Sequence, residues 1–202
     1  MESAQLRAGA RQGKLALLSH CILNQNARAQ GIAIHRGAIA PAIEMLEEAG
    51  YRLMQLPCPE VSFAGTARWW SVYEQYDSVA YRRHCANLAE IVAQLVKPYA
   101  DKGCDVVLLG LGISPSCGVR MRQTGKAWRG RPFDIGDVAS VEEGMGVWVQ
   151  ELEKALKSKG IAVRMLDLPP VLLYPRERVP KVAGYPSKEE DSWRELKEFL
   201  VA

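Results

Sequence analysis

No run of about 18 consecutive apolar residues occurs in this sequence, so it predicts no membrane-spanning helix. The opening residues, Met1-Glu2-Ser3 onward, lack the apolar centre of a secretory leader, and the protein is expected in the cytoplasm. Charge of one sign is equally scarce: 26 Lys and Arg against 23 Asp and Glu leave +3. That balance is too weak to argue for duplex nucleic acid. Local metal signatures are missing too, since the five cysteines, at 21, 58, 85, 104 and 117, form no CxxC pair and no finger spacing. An odd cysteine count without a secretion signal speaks against a disulfide framework and leaves metal binding or reactive thiols. The glycine-rich stretch Gly110–Gly118 has neither GxGxxG nor a P-loop lysine, which weakens the reading of a nucleotide-binding regulatory domain. Repeats and low-complexity segments are absent, and nothing specifies an oligomeric state.

What is present is the composition of one globular domain, 48% hydrophobic and 24% charged over 202 residues, enough for a sizeable core. Residues 1–13 are expected to be flexible, 14–168 to form the core, and 169–202 to add a C-terminal extension with a helix. Strands are predicted at Lys14–Ser19, Tyr51–Leu56, Val106–Leu111 and Ile161–Leu166, from short apolar runs bounded by turn residues. Helices are predicted from about Ala38 to Ala49, Ser78 to Lys102 with Pro98 ending or kinking it, and Val141 to Lys159, with a capping box at Ser187–Glu190 opening a last one. Val61–Asp77 reads as an irregular aromatic segment, and Val119–Val138 as an excursion rich in Gly and Arg. Strands alternating with helices imply right-handed crossovers. The expected fold is therefore α/β, a Rossmann-like three-layer α/β/α sandwich whose mostly parallel sheet has four or more strands.

Three cysteines share one property: Cys21, Cys58 and Cys117 each lie just past the end of a predicted strand. They are 37 and 59 residues apart, too far for a local site, but parallel strands in one sheet bring their carboxyl ends to one edge, where such sheets place ligands. Cys85, mid-helix, and Cys104, at the start of the third strand, are expected to be buried small apolar residues. Three thiolates leave a metal centre with an open position. Zinc with His20 or His84 as fourth ligand, an iron–sulfur cubane with one iron open to a soft substrate atom, and three merely structural cysteines all fit that arrangement.

The strand followed by Ser19-His20-Cys21-Ile22-Leu23, then Pro57-Cys58-Pro59-Glu60-Val61, then Ser114-Pro115-Ser116-Cys117-Gly118 resembles the 2-thiouracil desulfurase family, long catalogued as a domain of unknown function. Order and approximate spacing match over residues 14–165. The resemblance implies a [4Fe-4S] cluster on Cys21, Cys58 and Cys117, with Glu60 as catalytic acid/base and Ser114 as assisting hydroxyl. It implies an iron–sulfur desulfidase that removes sulfur from a thiocarbonyl compound such as a thiolated nucleobase and releases sulfide. A non-enzymatic metal, iron–sulfur or sulfur carrier is the alternative. The substrate loops depart from the family: Asn24-Gln25-Asn26-Ala27-Arg28-Ala29-Gln30-Gly31 stands where a second cysteine and an Arg-Tyr-Asp-Gly run are usual, and Ser62–Trp70 replaces Gly-Gly-Leu and Pro-Arg elements. This marks a divergent relative.

Four further groups carry two readings each. Ser116 is expected to act through its backbone, and His20 to point either toward the thiols or away. Trp69 and Trp70 either stack on a planar substrate or seal a core or a subunit interface. The basic group from Arg120 to Arg131 either greets an anion or is a solvated excursion.

Overall fold

Lys14–Leu18 (β1) is apolar from its second residue onward and buried there, as a central parallel strand must be. In the computed structural model, which describes residues 13–126, 140–176 and 179–202, it is followed by the short helix His20–Leu23 (α1) and a 3-10 turn at Gln25–Ala27. Then come Ala40–Glu48 (α2), Tyr51–Gln55 (β2), Pro59–Ala64 (α3), Tyr73–Tyr76 (α4), Val79–Ala100 (α5) and Asp105–Leu111 (β3). Met121–Thr124 (β4) and Ser140–Glu143 (β5) make an antiparallel pair. The chain ends with Val147–Ser158 (α6), Arg164–Leu168 (β6), a 3-10 turn at Pro170–Leu172 and Glu189–Val201 (α7).

The main sheet has the order β2-β1-β3-β6 and every pairing in it is parallel, with Leu18 level with both Gln55 and Leu109. The chain steps outward from β1 to β2, then crosses back over β1 to β3 and on to β6. Right-handed crossovers therefore put α2 on one face and α5 and α6 on the other. The packing agrees, for α5 lies along α6, while α7 rests on β6 and meets α2. The result is the expected α/β three-layer sandwich. Because winding reverses between β1 and β3, the crevice at the carboxyl ends of those strands is the place where such a fold accepts a ligand. Among the described residues no helix is long and apolar enough to cross a membrane.

Several sequence expectations are corrected. Val61–Asp77 is irregular only over 65–72, for its two ends belong to α3 and α4. The helix expected from Val141 starts at Val147, because 140–143 pairs with β4 as an edge hairpin. Pro98 does not end α5: lying in the last turn, it removes one hydrogen bond only, and Asp101 N–H still reaches the Lys97 carbonyl at 2.9 Å. The fourth strand begins at Arg164, three residues late. The capping box fails, since Lys188 rather than Ser187 precedes α7 and makes no side-chain cap. Residues 1–12 and most of the Val119–Val138 excursion, including Arg129 and Arg131, lie outside the described residues.

Candidate active site

Each strand of the central trio hands its cysteine to the crevice in a different way. After β1 the chain turns at Ser19, whose N–H donates to the Leu109 carbonyl at 3.1 Å, and Cys21 follows, buried in α1. After β2, Leu56 N–H bonds the Leu18 carbonyl at 2.9 Å, and Pro57 passes the chain to Cys58. Cys58 is the N-cap of α3, and its Sγ accepts the Val61 N–H at 3.4 Å. Pro59 at the first helical position suits the fixed backbone angle there, and it delivers Glu60 into the first turn. After β3, Ile113 sits at φ 60, a left-handed conformation strained for a β-branched residue. The Ser114 Oγ then accepts the N–H of Cys117 at 2.9 Å and of Ser116 at 3.3 Å, which closes the turn that presents the third thiol.

That last turn is clamped from three sides. Asp167 on β6 is fully buried, and its carboxylate accepts the N–H groups of Val119 and Arg120, both at 2.8 Å, and the Tyr185 hydroxyl at 2.6 Å. Burial pushes its pKa up against those three donors. The carbonyls of Pro115 and Ser116 receive the first N–H groups of α6, from Val147 and Trp148, each at 3.1 Å. From α5, the buried Tyr81 hydroxyl shares a 2.7 Å hydrogen bond with Ser116, so this serine acts through its side chain as well as its backbone.

The three thiols, Glu60 and Ser114 border one cleft. Cys21 and Cys58 are neighbours in the cleft. That contact brings Cys58 down to about 7 and, with burial, drives Cys21 up. Burial raises Cys117 well above the ordinary thiol value. Glu60 is fixed by Arg68, whose Nε donates to Oε2 at 2.8 Å, while Arg68 Nη2 reaches the Ala27 carbonyl at 2.7 Å. Tyr76 also bonds Glu60, and its phenol is raised by burial first and by that carboxylate second.

Among the described residues no group of three or more His, Cys, Asp or Glu is placed to hold a metal ion. A zinc ion needs four donors about 2.3 Å or less from a single point, and the expected fourth ligands are engaged elsewhere. His20 Nδ1 pairs with Gln55 at 3.1 Å and His84 Nε2 with Ser62 at 2.8 Å, and neither borders the cleft.

Outside this cleft, Cys85 is fully buried as expected, but Cys104 is half-buried. Trp69, 83% exposed, seals no core, whereas Trp70 borders the cleft. Arg120 and Arg122 pair with Glu195 and Glu142 rather than facing an anion. Sequence reasoning missed Arg28, Arg68, Tyr76 and Asp167 as site residues. The only available signal was that Arg28 and Arg68 fall inside the stretches that depart from the family pattern.

Compared with known proteins, the chain matches no family model. It is 33% identical over 106 residues to the uncharacterized protein MJ0003 of Methanocaldococcus jannaschii, across 52% of this chain and 68% of that protein. Among solved structures it is similar to a [4Fe-4S]-dependent thiouracil desulfidase, TudS, with a TM-score of 0.42 and 23% identity over 75% of this chain and 90% of that one.

Proposed function

The chain belongs to one family with protein MJ0003, and we propose that it is an iron–sulfur desulfidase that hydrolyses a small thiocarbonyl compound to its carbonyl counterpart and hydrogen sulfide. The observation that carries this reading is the meeting of Cys21, Cys58, Cys117, Glu60 and Ser114, drawn from three separate loops, on one cleft. Their motif resemblance to thiouracil desulfurases supports it.

Cys21, Cys58 and Cys117 would hold a [4Fe-4S] cluster, which when bound supplies an iron without a protein ligand, a soft Lewis acid for the substrate sulfur. Arg68 holds Glu60 in place through Oε2, and the carboxylate takes a proton from the attacking water and returns it to the departing sulfur. The Ser114 oxygen accepts two backbone N–H groups, and its hydrogen is free to donate to the oxygen developing on the attacked carbon. Trp70 and Tyr174 border the cleft and limit water around the reacting carbon.

Anaerobic purification should give a brown protein with about four irons per chain that releases sulfide from thiolated heterocycles. Cys→Ser at 21, 58 or 117 should remove iron and activity together, while Cys85→Ser and Cys104→Ser keep both. Glu60→Gln should retain iron and lose roughly two to four orders of magnitude in turnover. A colourless, iron-free anaerobic preparation overturns the reading. Iron with no turnover of any thiolated compound leaves a carrier instead.

A further inference from the structure

Arg28 carries a charge that the described residues do not answer. It is 8% exposed and borders the thiol cleft, yet it forms no ion pair among the described residues, whereas Arg68, Arg82, Arg120, Arg122, Arg164 and Arg194 each do. The other described arginines without an ion pair, Arg36, Arg52, Arg83 and Arg176, are exposed, so water solvates them. Arg28 Nη1 donates to neutral oxygens alone: the Leu173 carbonyl, the Ile32 carbonyl at 2.9 Å and Gln25 Oε1 at 3.5 Å. The guanidinium lies 4.9 Å from the centre of the Tyr174 ring. A guanidinium stays charged at any physiological pH, and burying it without a counter-charge is costly. The acid of the cleft is already taken, since Glu60 pairs with Arg68, and Arg68 is the cation that bears on Cys58.

We propose that Arg28 receives a carboxylate of the substrate, so that the compound bound in this cleft is a small unsaturated organic acid rather than a neutral base. The proposal rests on the desulfidase reading of the same cleft and adds its substrate class. The guanidinium is the planar fork that matches a carboxylate, and the groups that meet it, three neutral oxygens and the Tyr174 side chain, bring no countercharge. Trp70, Tyr76 and Tyr174 on the walls suit the flat ring that carries it. The bonds from Nη1 to the backbone hold the fork in place before binding, so little side-chain freedom is lost when the acid arrives.

The test is calorimetric titration of the anaerobically purified full-length protein with orotate, uracil and orotamide, unreactive oxygen compounds that differ in one carboxylate or its neutral isostere. Orotate should bind at least about tenfold more tightly than either neutral compound, and Arg28→Gln should weaken orotate by about 10- to 100-fold while leaving uracil unchanged. Arg28→Lys, which keeps the charge but loses the fork, should fall between. Equal binding of orotate and orotamide, no binding of orotate, or an orotate preference that survives in folded Arg28→Gln overturns the proposal. If far-UV circular dichroism shows that Arg28→Gln does not fold, the wild-type contrast of orotate with orotamide decides alone. Iron content and sulfide release from 2-thiouracil are measured on the same preparations. An orotate preference in an iron-free chain sinks the desulfidase reading and leaves the anion site standing. Iron and sulfide release without that preference does the reverse.

Discussion

Gly110 and Asp167 face each other across β3 and β6, and each accounts for the other. A Cβ on Gly110 would stand 2.5 Å from the Cys117 carbonyl oxygen and 2.7 Å from Asp167 Oδ1, so the strand is bare there to admit both the returning thiol loop and the carboxylate that holds it. Gly110→Ala should cost about 1–3 kcal/mol in a urea titration, because backbone must shift to make room. Asp167→Asn keeps the size but turns an N–H₂ toward groups that are themselves donors, and should cost on the order of 2–3 kcal/mol with a matching loss of bound iron. Unchanged urea midpoints in both variants would remove this account of the third loop. The sequence placed the glycine inside a predicted strand but could not show its reason, since Asp167 is one acid after an apolar run until β6 is paired with β3. The meeting of the three cysteines at one edge was legible because strand ends are local features, whereas Glu60 came only with the motif resemblance. Arg28 and Arg68 were not, because their partners lie in loops that only the fold brings together.

The elements divide the labour between the two ends of the sheet. At the carboxyl end they expose chemistry, and at the amino end they bind the layers together. Asp105 opens β3 there and accepts from Arg164 of β6 at 2.7 Å and from the Tyr51 hydroxyl of β2 at 2.6 Å, while Arg164 also reaches the Phe199 carbonyl of α7 at 2.7 Å. The Arg164 hydrogen bond is the main cause that holds the Asp105 carboxyl below the usual range. A depressed folded value means that this stabilisation is complete above the unfolded carboxylate range, near pH 4, and is lost as pH falls through the lowered value. Both groups are about a third exposed, so the contribution at neutral pH is about 1 kcal/mol or less. Asp105→Asn should therefore flatten the acid limb of a stability-versus-pH curve while iron content and turnover stay at wild type. An acid limb as steep as that of wild type would show that other carboxylates govern it. The main strands and α2, α5 and α6 were readable from periodicity. The β4–β5 hairpin was not, because its charged, half-solvated residues have no apolar alternation, and Val141 was drawn into the helix that follows it.

For the whole molecule, the cleft and the core draw on separate sources of stability. The four-stranded sheet, covered by α5 and α6 on one side and α2 and α7 on the other, buries an apolar core that Cys21 and Cys117 join only at its edge and that consists mostly of residues from the strands and helices. The loops at residues 19–28, 56–68 and 111–119 depend instead on a few specific bonds, the Arg68 crossbrace and the Asp167 clamp among them. A cluster held by one thiolate from each loop would staple all three, and a ligand that binds only the folded chain stabilises it by mass action. Removal of iron by anaerobic chelation should then lower the melting temperature, by about 2–4 °C for each kcal/mol lost in a chain of this size. Amide exchange should quicken in those three loops while Leu15–Leu18 and Val106–Leu109 stay protected, since their ladder bonds lie in the covered sheet. If chelation left loop exchange unchanged, the three cysteines would not share a cluster. If it unprotected the strands too, the metal would be part of the core's stability, and the sheet would not stand alone as its packing implies.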